Sequence, residues 1–132
     1  MIYLDTSVAL AHLFAEDRRP PRDLWAEDLV SSRLLDYELW TRIHARGLAA
    51  THGDFARLLL ARVARLKLSE EVLERALDPF PTAVRTLDAL HLASIVFLLE
   101  QGRDVALATY DSRQAKTARA MGIPMSELVD TG

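Results

Sequence analysis

The opening stretch MIYLDTSVALAHLF, residues 1–14, changes its pattern of apolar residues at Asp5. The residues IYL before this acid form a short apolar run, rich in β-forming side chains, which predicts a buried strand. After it, Thr6 and Ser7 begin the segment SVALAHLF, in which apolar residues recur at helical spacing. A buried strand that leads directly into a helix is half of a β–α unit and favours an α/β fold.

The rest of the chain repeats this alternation of short strands and helices. The segments LVSS (29–32), LKLS (66–69) and DVALATYD (104–111) predict further strands, and IPMSEL (123–128) predicts a fifth strand at the edge. The pattern contains no internal repeat and no linker. We therefore predict a single domain over residues 1–132, a three-layer α/β sandwich whose central, mostly parallel sheet of four to five strands is flanked by helices.

Two long apolar segments predict helices in the middle of the chain. The segment GDFARLLLARVARL, residues 53–66, is amphipathic and predicts one continuous helix. The segment TAVRTLDALHLASIVFLLEQG, residues 82–102, predicts the longest helix, with a start near Thr82 that places Asp88 about two turns inside it. A start at Leu87 is the alternative, and it would make Asp88 an ordinary acidic residue of the first turn.

Composition excludes several classes of protein. Half of the 132 residues are hydrophobic, cysteine is absent and the net charge is −3, so disulfides, thiolate chemistry and charge-driven affinity for any nucleic acid are not expected. No apolar run approaches the ~20 residues that span a bilayer. The N-terminus also lacks the pattern of a signal peptide. A cytoplasmic protein without membrane contact is therefore expected.

Nearly all the basic residues are arginine, fourteen of sixteen. A biased genome composition is the simplest explanation. The alternative is that some guanidinium groups bind phosphates, which they hold through two parallel hydrogen bonds. Composition does not separate these explanations, and the candidates for phosphate contacts are Arg18, Arg19, Arg22 and Arg113.

Two acidic residues follow predicted strands. Asp5 comes after IYL and Asp111 after LATY, and each precedes a hydroxylic residue, Thr6 and Ser112 respectively. In an open parallel sheet, ligands bind in the crevice beyond the carboxyl ends of the strands, which makes both acids candidates for a functional site. The alternative is that each aspartate only caps the helix that follows it, which is a common role for aspartate.

Two further acids lie within predicted helices. Glu38 falls near the apolar face that Leu35 marks, whereas Asp36 lies further round the helix and is expected to be solvated. Asp88 lies in an apolar segment, where burial of an ionised carboxylate without a partner costs several kcal/mol. For Glu38 the alternative is a solvated residue at the boundary of the core.

Convergence of these four acids on one crevice would require a cation, because the carboxylates would otherwise repel one another. Oxygen ligands without cysteine, and with at most one histidine nearby, favour Mg²⁺ or Mn²⁺ over zinc. A Mg²⁺ ion held by carboxylates, with open positions for water, can activate a water molecule and stabilise the charge that develops during phosphodiester hydrolysis. The pattern therefore indicates a metal-dependent phosphodiesterase.

Four segments taken in order, YLDTS, SSRLLDYELW, RTLDALHLAS and ATYDSRQAKTARAMG, resemble the motifs of PIN-domain ribonucleases. The resemblance is strongest to the VapC toxins of bacterial toxin–antitoxin pairs and covers essentially the whole chain. It implies a PIN-like fold and a Mg²⁺- or Mn²⁺-dependent endoribonuclease that cuts structured RNA such as tRNA or rRNA. It also implies a homodimer that is neutralised by a cognate VapB-type antitoxin and forms a larger hetero-oligomer with it.

The resemblance also implies the residues of the site. By position, the catalytic acids are Asp5, Glu38, Asp88 and Asp111. The three aspartates would bind the metal, and the glutamate would bind it directly or through water. Thr6 and Thr109 match positions at which hydroxyl groups support the ligands or the metal-bound water.

Some positions depart from the family pattern or fall outside it. Many relatives carry lysine where His12 stands, and some have another acid after the last aspartate, where this chain has Ser112 and Arg113. We therefore expect one firmly held metal ion. His91 matches the family pattern, and we expect it to support helix packing or orient its neighbours without binding the metal.

Two other classes of function stay open. A catalytically inactive PIN-like module would bind RNA or protein only, and the presence of all four acids argues against it. A phosphoacceptor signalling domain is also a small α/β protein, but it needs a second acid beside the first and an aspartate after the third strand. Here Thr6 follows Asp5, and LKLS supplies no aspartate.

Overall fold

Four strands form a parallel sheet in the order β3–β2–β1–β4, in a computed structural model that describes residues 1–130. This confirms the predicted parallel sheet, with four strands. Six α-helices connect and cover these strands, and a 3-10 turn precedes β2. The strands are β1 (Ile2–Leu4), β2 (Leu29–Ser32), β3 (Val63–Leu66) and β4 (Ala106–Ala108). The helices are α1 (Thr6–Leu13), α2 (Leu34–Ala45), α3 (Ala49–Ala61), α4 (Glu70–Leu77), α5 (Thr86–Glu100) and α6 (Ser112–Ala120).

Side chains alternate between the two faces of the sheet, as the pleat requires. In β1, Ile2 and Leu4 point into a core shared with α1, α2 and α3, whereas Tyr3 points into a second core under α5 and α6. Leu107 and Ala108 of β4 divide between the same two cores. The chain is therefore the predicted three-layer sandwich. None of the helices within residues 1–130 is long and apolar enough to cross a bilayer.

The third strand lies earlier than predicted. Helix α3 ends at Ala61, and Val63–Leu66 pairs with β2 along its whole length, from Leu29 opposite Val63 to Ser32 opposite Leu66. The prediction of a continuous helix over 53–66 was therefore wrong, and so was the strand at 66–69. Pairing with β2 outweighs the helical pattern of VARL, because strand propensity depends mainly on the neighbours that a strand finds.

The predicted fifth strand, IPMSEL, is reduced to a single bridge between Leu107 and Met125. The Leu107 backbone donates to the Pro124 carbonyl, and Ser126 donates to the Leu107 carbonyl. Proline has no N–H group, so the ladder cannot extend through Pro124.

Helix α5 begins at Thr86, four residues later than predicted. Arg85 is extended, the Thr82 hydroxyl is hydrogen-bonded to that of Thr117 on α6, and Val84 packs against the second core. These contacts hold the segment before α5 in a non-helical path. Asp88 therefore lies in the first turn, and the prediction that placed it two turns inside was wrong.

Candidate active site

The four predicted acids line one cleft of about 560 Å³ at the carboxyl end of the sheet. Asp5 directly follows β1, and Asp111 begins α6 shortly after β4. Glu38 reaches the cleft from the second turn of α2, and Asp88 reaches it from the first turn of α5. Four elements that are far apart in the chain thus bring carboxylates to the crevice where parallel sheets bind ligands.

Asp5 is both a helix cap and a wall of the cleft. Its Oδ2 accepts hydrogen bonds from the Ser7 backbone at 3.2 Å, from the Ser7 hydroxyl at 2.5 Å and from the Thr109 hydroxyl at 3.0 Å. The side chain is almost completely buried, with 5% exposed. These bonds satisfy a buried carboxylate and fix its orientation. Asp5 therefore caps α1 and also lines the cleft.

Asp111 has the same double role at the start of α6. Its Oδ1 accepts from the backbone of Arg113 at 2.9 Å and of Gln114 at 3.2 Å, which caps the helix. Its own backbone N–H donates to the Thr109 hydroxyl at 3.0 Å. Because that hydroxyl donates to Asp5, Thr109 links the two strand-end aspartates and sets their relative position.

A buried histidine positions Glu38. Glu38 Oε1 accepts hydrogen bonds from Thr6 Oγ1 at 2.9 Å and from His91 Nε2 at 2.7 Å. His91 is only 1% exposed, and its Nδ1 lies 2.7 Å from the Tyr3 hydroxyl. The expectation that this histidine orients its neighbours agrees with these contacts. Thr6 likewise supports an acid of the cleft.

The charge state of His91 follows from the same contacts. Burial alone lowers the pKa of the imidazole. The Tyr3 oxygen and the hydrogen-bonded, negatively charged Glu38, helped by a further carboxylate in the cleft, outweigh burial and raise that pKa to about 10. The ring is therefore an imidazolium at neutral pH, and it donates to Tyr3 through Nδ1 and to Glu38 through Nε2.

Asp88 is the acid whose ionisation is most disfavoured. Burial is the main reason that the pKa of Asp88 rises to about 6, and the charges of Asp111 and Asp5 act in the same direction. The cations His91 and Arg85 lower the pKa by less. The cleft therefore holds more negative charge than its own cations offset.

The donor set of the cleft fits a hard divalent cation. All four acids offer carboxylate oxygens, and a cation would offset both the burial of Asp88 and its repulsion by Asp111 and Asp5, which together raise its pKa. Within residues 1–130, however, no three histidine or acidic side chains already stand close enough to enclose one ion. Mg²⁺ does not need such a cage, because it keeps several water ligands and uses one or two carboxylates.

Two arginines of the cleft were missed by the sequence argument. Arg42 and Arg85 line it together with the acids. A signal was present for Arg42, which follows Glu38 by one helical turn and therefore shares its face. Of the arginines named from the sequence, Arg18 lines an adjoining groove and Arg113 a smaller pocket beside Asp88.

Asp36 was predicted to be solvated, and that prediction was wrong. Its carboxylate lies 3.1 Å from Arg65 Nε of β3, and only 21% of its side chain is exposed. The contact is an ion pair between α2, the helix that follows β2, and β3, the strand that pairs with β2. It lies away from the four-acid cleft.

Comparison with known proteins points to one family. The PIN domain model matches residues 2–120. Three proteins of Mycobacterium tuberculosis are similar over almost the whole chain: Ribonuclease VapC47 with 33% identity, Ribonuclease VapC46 with 34% and Ribonuclease VapC35 with 30%. The alignments cover 92%, 92% and 93% of this chain and 93% of each relative. No solved structure is significantly similar to the chain.

Proposed function

This chain belongs to the PIN-domain family, in its VapC group, and on that premise we propose that it is a metal-dependent endoribonuclease and the toxin of a toxin–antitoxin pair. The observation that carries the proposal is the cleft lined by Asp5, Glu38, Asp88 and Asp111. Relatives named ribonucleases support the reaction. The oxygen donors and the charge of the cleft support Mg²⁺ or Mn²⁺ as the cofactor.

In this proposal Asp5, Asp88 and Asp111 would hold the metal, in part through its water ligands, and Glu38 would bind it directly or through water. When bound, the ion supplies Lewis-acid stabilisation of the charge that develops during phosphodiester hydrolysis. The raised pKa of Asp88 means that its carboxyl is the one most easily protonated, so ionisation of Asp88 is a condition for forming the site.

Two side chains fix the orientation of Glu38 in the cleft. Both of its hydrogen bonds from protein side chains, those of Thr6 and His91, fall on Oε1. Oε2 is therefore the oxygen that remains to accept a proton from an attacking water. The hydrogen bonds of Thr6 and His91 fix the orientation of Glu38, which this role as a general base requires.

Arg42 and Arg85 supply the positive charge of the proposed substrate site. Both line the cleft with the acids, and guanidinium groups bind phosphate oxygens through two hydrogen bonds. We propose structured RNA, such as tRNA or rRNA, as the substrate. We also propose a cytoplasmic homodimer that a VapB-type antitoxin neutralises, in keeping with the group to which the chain belongs.

Cleavage of RNA by the purified protein tests the proposal. Activity should require added Mg²⁺ or Mn²⁺ and should disappear in EDTA. Asp88→Asn should lower the rate by at least roughly 100-fold, because even the outer-shell partners of metal ligands contribute about 10- to 100-fold. The matched control is Asp104→Asn, which changes an exposed aspartate ahead of β4, at the opposite end of that strand from Asp111.

The same pair of variants separates the enzyme from a binding-only module. Expression of the parent should arrest growth, whereas Asp88→Asn should not, and the metal-free variant should unfold at a temperature no lower than that of the metal-free parent, because the substitution removes a disfavoured charge. Cleavage that survives EDTA, or an Asp88→Asn variant as fast as the parent, would overturn the metal mechanism. Growth arrest by both proteins without any cleavage would favour the binding-only module.

A further inference from the structure

Gln114 of α6 carries a buried amide without a partner. The residue is 1% exposed, and neither Oε1 nor Nε2 has a hydrogen-bond partner within residues 1–130. It is the only side chain of this region in which a buried donor and a buried acceptor are both unsatisfied. Native structures pair nearly all such groups, so an amide kept in this state calls for a ligand that pairs with it.

A small pocket lies beside this amide. Its volume is about 220 Å³, and it is lined by Val84, Arg85, Asp88, Arg113, Gln114 and Thr117. Two of these residues, Arg85 and Asp88, also line the four-acid cleft, so the side pocket and the cleft are neighbours that share a wall. A molecule whose phosphate lies in the cleft therefore has its adjoining group at the mouth of the side pocket.

We propose that the side pocket binds one unpaired nucleobase of the RNA, next to the bond that is cleaved, and that Gln114 reads the edge of that base. This inference rests on the proposed ribonuclease function. The side-chain amide offers one donor face and one acceptor face, which is the complement of a base edge. Rotation of the amide toward the pocket that it lines would satisfy both atoms at once.

The size of the pocket fits a single base. Its volume lies below the roughly 300–1,000 Å³ of sites for drug-sized ligands, so it admits one ring system and excludes a base pair. Val84 supplies an apolar surface for the face of the ring. Sequence-specific proteins that bind RNA commonly hold an unstacked base in this way, with apolar contact on the face and hydrogen bonds on the edge.

Charge favours RNA over a peptide as the occupant. Arg85 and Arg113 are both exposed at the pocket, where their guanidinium groups can bind the phosphates on either side of the base. A lysine or arginine of a peptide would meet these two cations, with Asp88 as the only acid among the lining residues. The pocket thus combines two phosphate-binding groups with one base-reading amide.

Cleavage of an RNA library randomised around the cut site gives the first test. Gln114→Met removes the donor and the acceptor at similar volume, and Gln101→Met is the matched control on an exposed glutamine. We expect the parent to prefer one base at a position next to the cut, and Gln114→Met to reduce that preference roughly tenfold, in line with the loss of a bidentate contact. An unchanged preference would overturn the proposal.

A second measurement needs neither a variant nor cleavage. Isotope-labelled parent protein in EDTA is titrated with the four nucleoside 5′-monophosphates while the side-chain amide signals of Gln114 and Gln101 are followed by NMR. One nucleotide should shift the Gln114 signal more than the others and leave the Gln101 signal in place. Argininamide, which mimics an arginine side chain of a peptide, is titrated in a separate sample. If no nucleotide shifts the Gln114 signal, or if only argininamide shifts it, the pocket does not bind a base.

The two failures can be told apart. A parent protein that cleaves no RNA but shows the nucleotide-dependent shift contradicts the ribonuclease function and keeps the base pocket. If the parent cleaves RNA but shows no preference for a base next to the cut and no nucleotide-dependent shift of the Gln114 signal, the base pocket is contradicted and the ribonuclease function stands.

Discussion

His91 Nε2 lies 2.7 Å from Glu38 Oε1, so a fully buried imidazole on α5 holds a carboxylate that reaches the active-site cleft from α2. The opposite side of the ring is held by the Tyr3 hydroxyl, on the middle residue of β1. This chain of three side chains crosses from the sheet to two helices. It ties the position of Glu38, one of the four acids of the cleft, to the core of the protein.

Replacement of His91 should therefore destabilise the fold and misplace Glu38. His91→Leu removes the partner of the Tyr3 hydroxyl and leaves the Glu38 carboxylate with the Thr6 hydroxyl alone. We expect the free energy of unfolding, measured by urea denaturation, to fall by roughly 1–3 kcal/mol, the cost of an unsatisfied buried group. His44→Leu, on an exposed face of α2, is the control.

A double-mutant cycle with Tyr3→Phe shows whether the chain of contacts acts as a unit. The two substitutions should cost less together than the sum of their separate effects, since either one already breaks the contact between Tyr3 and His91. Strict additivity would contradict the coupling between the two side chains.

The raised pKa of His91 predicts how stability depends on pH. The pKa is about 10 in the folded protein against 6.5 for the free side chain. A group whose pKa is raised on folding stabilises the fold fully below its unfolded pKa, and that stabilisation is lost as the pH rises through the folded value. The free energy of unfolding should thus decline between about pH 6.5 and pH 10.

Comparison of the parent with His91→Gln shows whether His91 causes this fall in the free energy of unfolding. The glutamine side chain cannot gain a proton in this pH range. The variant should be less stable at neutral pH, and its stability should change less between neutral and alkaline pH. Parallel curves for the two proteins would mean that His91 does not titrate between the two states.

The pKa of Asp88 should report the crowding of charge in the cleft. Carbon-13 NMR of the metal-free protein should show this carboxyl titrating near pH 6, against 3.8 for the free side chain. Because a raised acid pKa opposes folding once the group is ionised, metal-free protein should become more stable as the pH falls from above 6 toward 4. Mg²⁺ should lower the observed pKa.

A neighbouring carboxylate provides the control for this titration. Asp111→Asn removes one of the two charges that raise the pKa of Asp88, so the Asp88 titration should move to lower pH. Asp104→Asn should leave the titration in place. A metal-free Asp88 that titrates near 4 in the parent protein would show that neither burial nor the charges of Asp111 and Asp5 act on it as the cleft predicts.

Arg42 should act mainly on RNA binding. It lines the cleft beside Glu38, and removal of a phosphate contact weakens binding to all RNA sequences alike. In EDTA, log affinity should fall linearly as log salt concentration rises. We expect Arg42→Ala to make this negative slope shallower by about 0.7, the value for one phosphate contact to a single strand. Arg103→Ala, at an exposed position, should keep the parental slope.

The acids at the strand ends could be found without a structure because their positions follow from local pattern. Asp5 and Asp111 each stand where an apolar strand gives way to a helix, and the parallel sheet that this alternation implies brings such positions to one edge. Both aspartates also cap the following helix, so in this chain the capping signal and the site signal coincide. Local spacing also placed Glu38 on the inner face of its helix.

Other features depend on partners that lie far away in the chain. Helix α5 begins at Thr86 because the segment before it is held by α6, and β3 takes its register from β2. Tyr3 and His91 are 88 residues apart, and His91 and Glu38 are 53 apart. A single sequence carries no local signal for contacts of this kind, because hydrogen bonding and burial are settled only when the elements pack.

The local pattern of this chain was therefore enough to predict its layers, its parallel sheet and the acids at its strand ends, because short-range periodicity and capping encode them. Packing was needed to show that Asp88 stands in a first turn with a raised pKa, that His91 is a charged support for Glu38, and that the amide of Gln114 has no partner among residues 1–130. Each of these properties is set by what surrounds a side chain, and those surroundings come from residues that are distant in sequence.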